Sequence, residues 1–412
     1  MSQTTTTTTR SHAVFKAACD IIPLEMPVPD EQPVEALARP PVMGRGKGAT
    51  LTDVDGNEYI DYCCADGALL LGHADERAVV AVNKAVSKGL GLGSPSEGEV
   101  RLVELLASRC PAIEMGRLFN TRLEAVTCAV LLAREHTGRR HIVEFKGSPS
   151  GTPNALVTQY NKLGAVANLF KSRADTIAAV LVEPVAVGAG VVPPAEGFLS
   201  GLRELCDAHG ALLIYDESVI GLRFGASGQE GLFGVQPDLT VLGPVIGGGL
   251  PLTVCGGRRE VMRTTLGAML TAGMPGGASV NEVAIAAGIA TLHAVGDDGF
   301  YKDLEARSAK LGDALNTASV DSAAPLRFTR VGSILGATLA ATTGPTRSVS
   351  ASKKKEHERQ VTRRFYGAML DEGILLARRP CGGMFVSAAH TDEHVDRTTA
   401  AARNVLGMIA LM

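Results

Sequence analysis

Two acids stand where short apolar runs stop. The stretch "AAVLVEP" (178–184) reaches Glu183, and "ALLIYDES" (211–218) reaches Asp216. Carboxylates at the ends of buried runs suit general acid/base work, because a partly dry setting tunes their protonation. A third run, "DLTVLG" (238–243), ends differently: Pro244 follows, then three consecutive glycines within "PVIGGGLP". Glycine lets a backbone approach a ligand closely. Proline offers that ligand no donor, charge or nucleophile. In open parallel sheets ligands bind beyond the carboxyl ends of the strands, so Glu183, Asp216 and Pro244 are expected around one site. Asp216 reads either as a carboxylate capping a loop or as an acid/base group. Glu183 precedes Pro184 and is equally open to a structural loop contact.

The elements that must position these residues are legible. "GATLTDVDGNEYIDY" reads as a hairpin turning at Asp55-Gly56. "SPSEGEVRLVELLASRC" reads as a helix with Ser96 and Glu99 as a capping box, and Thr121 with Glu124 marks another helix start. "GFLSGLRELCDAHG" is an amphipathic helix stopped by Gly210. Apolar strands separated by helices imply a parallel sheet covered on both faces, an α/β fold. "SHAVFKAACDII" predicts a short helix, "TRSVSASKKKEHERQ" (346–360) a solvated loop or helix start, and "RRFYGAMLDEGILL" a helix followed by a strand.

The bulk numbers narrow the class. The chain has 412 residues, a formal net charge of −3, 45% apolar residues and no Trp. This supports one large domain with a smaller one and argues against a broad nucleic-acid footprint. No apolar run approaches a membrane span. The start, "MSQTTTTTTR", reads as a disordered tail rather than a signal peptide. Eight cysteines without a C-x-x-C suggest reduced thiols, a cytoplasmic setting and no zinc site.

The stretches "DVDGNEYIDY", "LLLGHADE", "AREHTGRRHIVEFKG", "LLIYDESVIGLRF", "GVQPDLTVLGPVIGGGLP" and "FVSAAHTDEHVDRT" resemble class III aminotransferases in order and spacing, over about residues 12 to 410. The resemblance is strongest to the glutamate-1-semialdehyde aminomutases within that family. It implies fold type I of the pyridoxal-phosphate (PLP) enzymes: a large α/β domain with a mixed, mostly parallel sheet, a small α+β domain from both chain ends, and a homodimer with sites at the interface. The expected boundaries are 1–10 for the tail, 11–75 and 321–412 for the small domain, and 76–320 for the large one.

The same resemblance singles out departures. Where the family reads G-K-x-I-G-G-G and its lysine holds PLP as a Schiff base, this chain has Pro244, and the next lysine C-terminal to it is Lys302. The family's phosphate cradle, N-S-G-T-E-A, is here "NTRLEA", with Arg122 for the glycine and Leu123 for the threonine. Its Y-H-G ring stack is Pro149-Ser150-Gly151, and a threonine that reaches the partner subunit's phosphate is matched by Gly277. No arginine lies between Arg10 and Arg39, where the aminomutases carry a substrate clamp. Asp216, the family's pyridinium partner, and Glu183 are retained.

The expectation is therefore a PLP-free member of the fold with no cofactor and no metal. It would act on a small metabolite through Asp216 and Glu183, with Arg122, Ser150 and Arg223 as substrate-binding candidates. The reactions open to it are isomerisation, dehydration, cyclisation or condensation. Two alternatives stand beside it: a non-catalytic partner subunit of an active aminotransferase, and a lysine-free enzyme that still uses PLP. Arg122 opens a helix, where a cation opposes the dipole, so it is expected to pair with an acid or an anionic ligand unless it points into solvent. The triple glycine is explained by backbone packing, and His73 reads as a satisfied, buried turn residue.

Overall fold

The structure, a computed structural model, describes residues 8–23, 41–90, 96–147, 151–225, 228–264, 281–297, 299–339, 351–376 and 383–411. In chain order its strands are β1 (Met43–Lys47), β2 (Thr50–Asp53), β3 (Glu58–Asp61), β4 (Met115–Phe119), β5 (His141–Phe145), β6 (Ala155–Thr158) and β7 (Ile177–Val182). There follow β8 (Leu212–Glu217), β9 (Leu239–Leu242), β10 (Thr253–Gly257), β11 (Leu326–Val331), β12 (Ile334–Leu339), β13 (Ile374–Leu375) and β14 (Met384–Phe385). The chain divides into two units. One comprises Met1–Asp66, Gly72–Ala74 and Leu304–Met412, the other Gly67–Leu71 and Asp75–Asp303.

The first unit holds two small sheets, ordered β1-β2-β3-β13 and β11-β12-β14. The hairpin turns at Asp55-Gly56, with Gly56 at φ +92, and Asp53 ties it by accepting from the backbone N–H groups of Asp55 and Asn57 at 3.0 and 2.8 Å. His73 lies in this unit. Its Nε2 meets Asp61 Oδ2 at 2.7 Å, so it is satisfied, but 19% of its side chain stays exposed, against the expectation of full burial. Three consecutive non-glycine residues, Cys64, Ala65 and Asp66, adopt positive φ values of 46, 52 and 55. The basic stretch enters the helix Ala351–Asp371, which β13 follows; residues 346–350 lie outside the described residues.

The second unit is built on a seven-stranded sheet ordered β4-β10-β9-β8-β7-β5-β6. β5 to β9 run parallel, and β10 runs antiparallel to both β9 and β4. Every position of β7 and β8 is buried, as strands covered on both faces require. The two faces are distinct. Ile142, Leu181 and Ile214 pack with Ala125, Ala129 and Leu132 of the helix Arg122–Thr137. Val143, Val182 and Tyr215 pack on the opposite side with Phe170, Phe198 and Leu202. The predicted helices at Glu97–Ala107 and Phe198–His209 are present; Ser96 accepts from Glu99 N at 3.1 Å, and Gly210 stops the latter in the left-handed region at φ +61.

Candidate functional site at the carboxyl edge of the sheet

Side chains alternate along a strand. Glu144, Glu183 and Asp216 follow Ile142, Leu181 and Ile214 by two residues each, so all three acids turn toward the helix that Arg122 opens. Pairing of Leu181 with Ile214 runs on to set Glu183 beside Asp216, while Ile142 pairs with Ala179, which puts Glu144 one side-chain layer deeper. That layer is about 7 Å, two residues of strand rise.

Arg122 joins them. Its Nη2 donates to Asp216 Oδ2 and lies 3.7 Å from Glu183 Oε1, and its Nε donates to Ser218 Oγ at 2.6 Å. Asp216 accepts a further bond from Ser218 N at 3.1 Å, so one oxygen caps the turn and the other holds the guanidinium. Burial alone would weaken the Arg122 cation; the charges of Asp216, Glu183 and Glu144 outweigh it and raise its pKa above the usual value. Tyr160, whose phenol is pushed up by burial and then by the charge of Glu183, donates to Pro184 O at 2.8 Å and anchors the segment after β7.

The helix start around Arg122 is self-satisfied. Thr121 Oγ1 accepts from Glu124 N at 3.2 Å, and Glu124 Oε2 accepts from Thr121 N at 2.8 Å. Leu123 is 68% exposed, so it does not fill the space beside Arg122. Pro244 opens a short 3-10 turn, Pro244–Gly247, and Gly243 before it is extended, as the residue before a proline prefers. A Cβ on Gly243 would sit 1.8 Å from Ser218 O, and one on Gly249 would sit 2.7 Å from Leu69 Cδ2. Close packing, expected for the triple glycine, holds at Gly249, which also sits at φ +99, and the same tightness at Gly243 locks the corner against Ser218.

The structure thus brings Asp216, Glu183 and Arg122 together. Arg122 takes an internal partner, one of the pairings expected of it: its Nε and Nη2 are turned on Ser218 and two carboxylates. Arg223, expected at the substrate, is buried, 1% exposed, and its Nε and Nη2 donate to Gly67 O at 3.0 and 2.6 Å. Pro149, Ser150 and Gly277 lie outside the described residues. Sequence reasoning missed Glu144 and Ser218. The signal for Glu144 was an acid at an inward position of the apolar run "HIVEF". Among the described residues no group of three His, Cys, Asp or Glu could hold a metal ion, and no helix is long and apolar enough to cross a membrane.

An open, mostly parallel sheet defines the class as an α/β protein, with its charged cluster at the carboxyl edge where such sheets bind ligands. The aminotransferase class-III family model matches residues 33–162 and 153–401, and the chain belongs to that family. It is 39% identical to glutamate-1-semialdehyde 2,1-aminomutase of Pelotomaculum thermopropionicum, over 96% of each chain. Its fold matches a transaminase solved with PLP bound, at TM-score 0.86 and 26% identity over 98% of this chain and 99% of the other. It also matches a glutamate-1-semialdehyde-aminomutase from Pseudomonas aeruginosa PAO1, a lysine-to-alanine variant in complex with PMP. There the TM-score is 0.79 at 25% identity, over 90% of this chain and 88% of that one.

Proposed function

We propose that this protein is an aminomutase-like enzyme that works without PLP, acting on a small metabolite by acid/base chemistry at the carboxyl edge of the large unit. The observation that carries the reading is the Arg122–Asp216 pair. In the family resemblance Asp216 serves the cofactor's pyridinium, and here a guanidinium already neutralises it. The residues present do not fit PLP. Pro244 has no amine for an imine, the donors at the Arg122 helix start are partly taken by its own capping box, and the Arg122 side chain reaches across to Asp216.

The acids divide the work. Asp216, fully buried and held by both Arg122 and Ser218, positions the guanidinium. Glu183, with 10% of its side chain exposed, is the carboxylate that reaches a reactant and moves its proton. Isomerisation, dehydration, cyclisation and condensation are the reactions this pair supports.

An absorbance titration tests the reading. Purified protein gives no saturable spectral change with PLP, and Pro244→Lys alone does not restore one; a stoichiometric change with the native chain would overturn it. One observation favours a second reading, a lysine-free enzyme that still holds the cofactor: the lysine-to-alanine variant of the Pseudomonas aeruginosa relative is in complex with PMP. The same titration run with PMP separates the two.

A further inference from the structure

Backbone strain and adjacent thiols meet in one turn of the first unit. β3 ends at Asp61, and the chain runs through Tyr62, Cys63 and Cys64 into three residues with left-handed backbone, Cys64, Ala65 and Asp66. L-residues enter that region singly and at a cost, so three in succession persist only where their surroundings hold them. Asp61 supplies part of the hold: its Oδ1 accepts from Cys63 N at 2.8 Å, and its Oδ2 accepts from Cys64 N at 3.1 Å and meets His73 Nε2. The thiols supply another part. Cys63 Sγ donates to Asp66 Oδ1 at 3.6 Å, and Cys64 Sγ lies within donating distance of Phe385 O, at 3.3 Å, and Asp61 O, at 3.4 Å. Phe385 N donates to Tyr62 O at 2.7 Å, so the turn ties the end of β3 to β14.

From this juxtaposition we propose that Cys63 and Cys64 are a site of reversible oxidative modification, closed to a disulfide between neighbours by exchange with a small-molecule disulfide. One cysteine attacks the small disulfide as a thiolate; a mixed disulfide forms, the reagent's S–S bond breaks and one small thiol leaves. The second cysteine attacks the mixed disulfide and releases the other small thiol. The two thiol hydrogens end on the two leaving thiols, so the protein is oxidised and the reagent reduced by two electrons. Adjacency makes the second attack intramolecular, which favours ring closure over a second molecule of reagent. Both cysteines are buried, but Ala65 and Asp66 are exposed, and the strained turn opens locally at low cost to admit the reagent. Ring closure removes both sulfur donors at once, from Asp66 Oδ1 and from Phe385 O, and loosens the turn. A ring between neighbours is strained, and strained disulfides are the easily reduced ones, so the change reverses. The site lies in the first unit and does not depend on the cofactor-free reading.

Oxidised glutathione on the full, folded chain tests it, with peptide mass mapping and amide hydrogen exchange as readouts. The peptide that carries both cysteines loses two hydrogens and gains no glutathione, and dithiothreitol restores its mass. In the oxidised protein the amides of Cys63, Cys64 and Phe385 exchange about fivefold faster or more, the effect of losing about one ordinary hydrogen bond. Cys64→Ser and Cys63→Ser each show no such acceleration on treatment, which ties the change to the pair. Cys19, which is exposed, reports that the reagent is active by taking up glutathione as a mixed disulfide. Three results would overturn the proposal. One is a peptide that keeps both hydrogens while Cys19 is fully converted. Another is oxidation at Cys128 and Cys255 instead, two thiols hydrogen-bonded to each other and fully buried in the second unit. The third is an oxidised pair whose neighbouring amides exchange at the native rate, which would leave the thiols no part in holding the turn.

Discussion

Replacing Arg122 by alanine deletes the cation that Asp216 is built around. Asp216 has no exposed side-chain surface, so its carboxylate is left in the interior with one backbone donor, Ser218 N. Breaking a buried ion pair from one side costs about 3–5 kcal/mol. Arg122 keeps 23% of its side chain exposed, so water enters behind it and the cost falls to about 2–3 kcal/mol. At about 2–4 °C per kcal/mol for a domain of this size, the melting temperature drops by roughly 5–10 °C. Asp216→Asn alone also destabilises, because it removes one side of the same pair. Combined with Arg122→Ala it recovers part of the loss, and a double-mutant cycle by urea denaturation returns a coupling of about 2 kcal/mol. A loss below about 0.5 kcal/mol for Arg122→Ala, the range of ordinary surface substitutions, would refute the view that this pair replaces a cofactor contact.

Other outcomes are expected away from that pair. Acidification should loosen the helix Asp392–Ala410: His394 Nδ1 accepts from Thr391 N at 3.0 Å, and burial, then Arg397, lowers its pKa below the ordinary 6.5. A depressed histidine contributes stability that is complete above the unfolded value and lost as pH falls through the folded one. The melting temperature of His394→Gln should therefore be flatter than the native one below about pH 6.5, the ordinary histidine value. Ala65, exposed at φ +52, should tolerate glycine with no loss of stability in chemical denaturation, because relief of about 1 kcal/mol of left-handed strain offsets the added freedom of the unfolded chain. Light scattering at micromolar concentration should give twice the 42.8 kDa chain mass. The expected interface takes in the helix Glu97–Ala107, whose Val100 is 54% exposed, and the 265–285 segment, most of which lies outside the described residues. A monomer would contradict it.

Much of this was present in the residues themselves. The apolar runs ending at Glu183, Asp216 and Gly243 became β7, β8 and β9, because a run of four to eight apolar residues bounded by turn signals has few other stable states. The Thr121–Glu124 box and the Gly210 stop are local chemistry, decided within one helical turn. That Pro244 can form no imine needs no structure at all. Tertiary structure decided the rest. Period-two alternation tells that Glu144, Glu183 and Asp216 each share a face with particular neighbours, but only the sheet order β8-β7-β5 and its register bring three carboxylates from distant segments onto one wall. The direction of Arg122 was equally hidden, since its capped helix start is the same whether the side chain turns out to water or in to Asp216. Leu123 goes outward and Arg223 turns inward to donate to Gly67 O for the same reason. A side chain's environment is set by which elements pack over it, and that packing joins residues far apart in the chain, which no local pattern encodes.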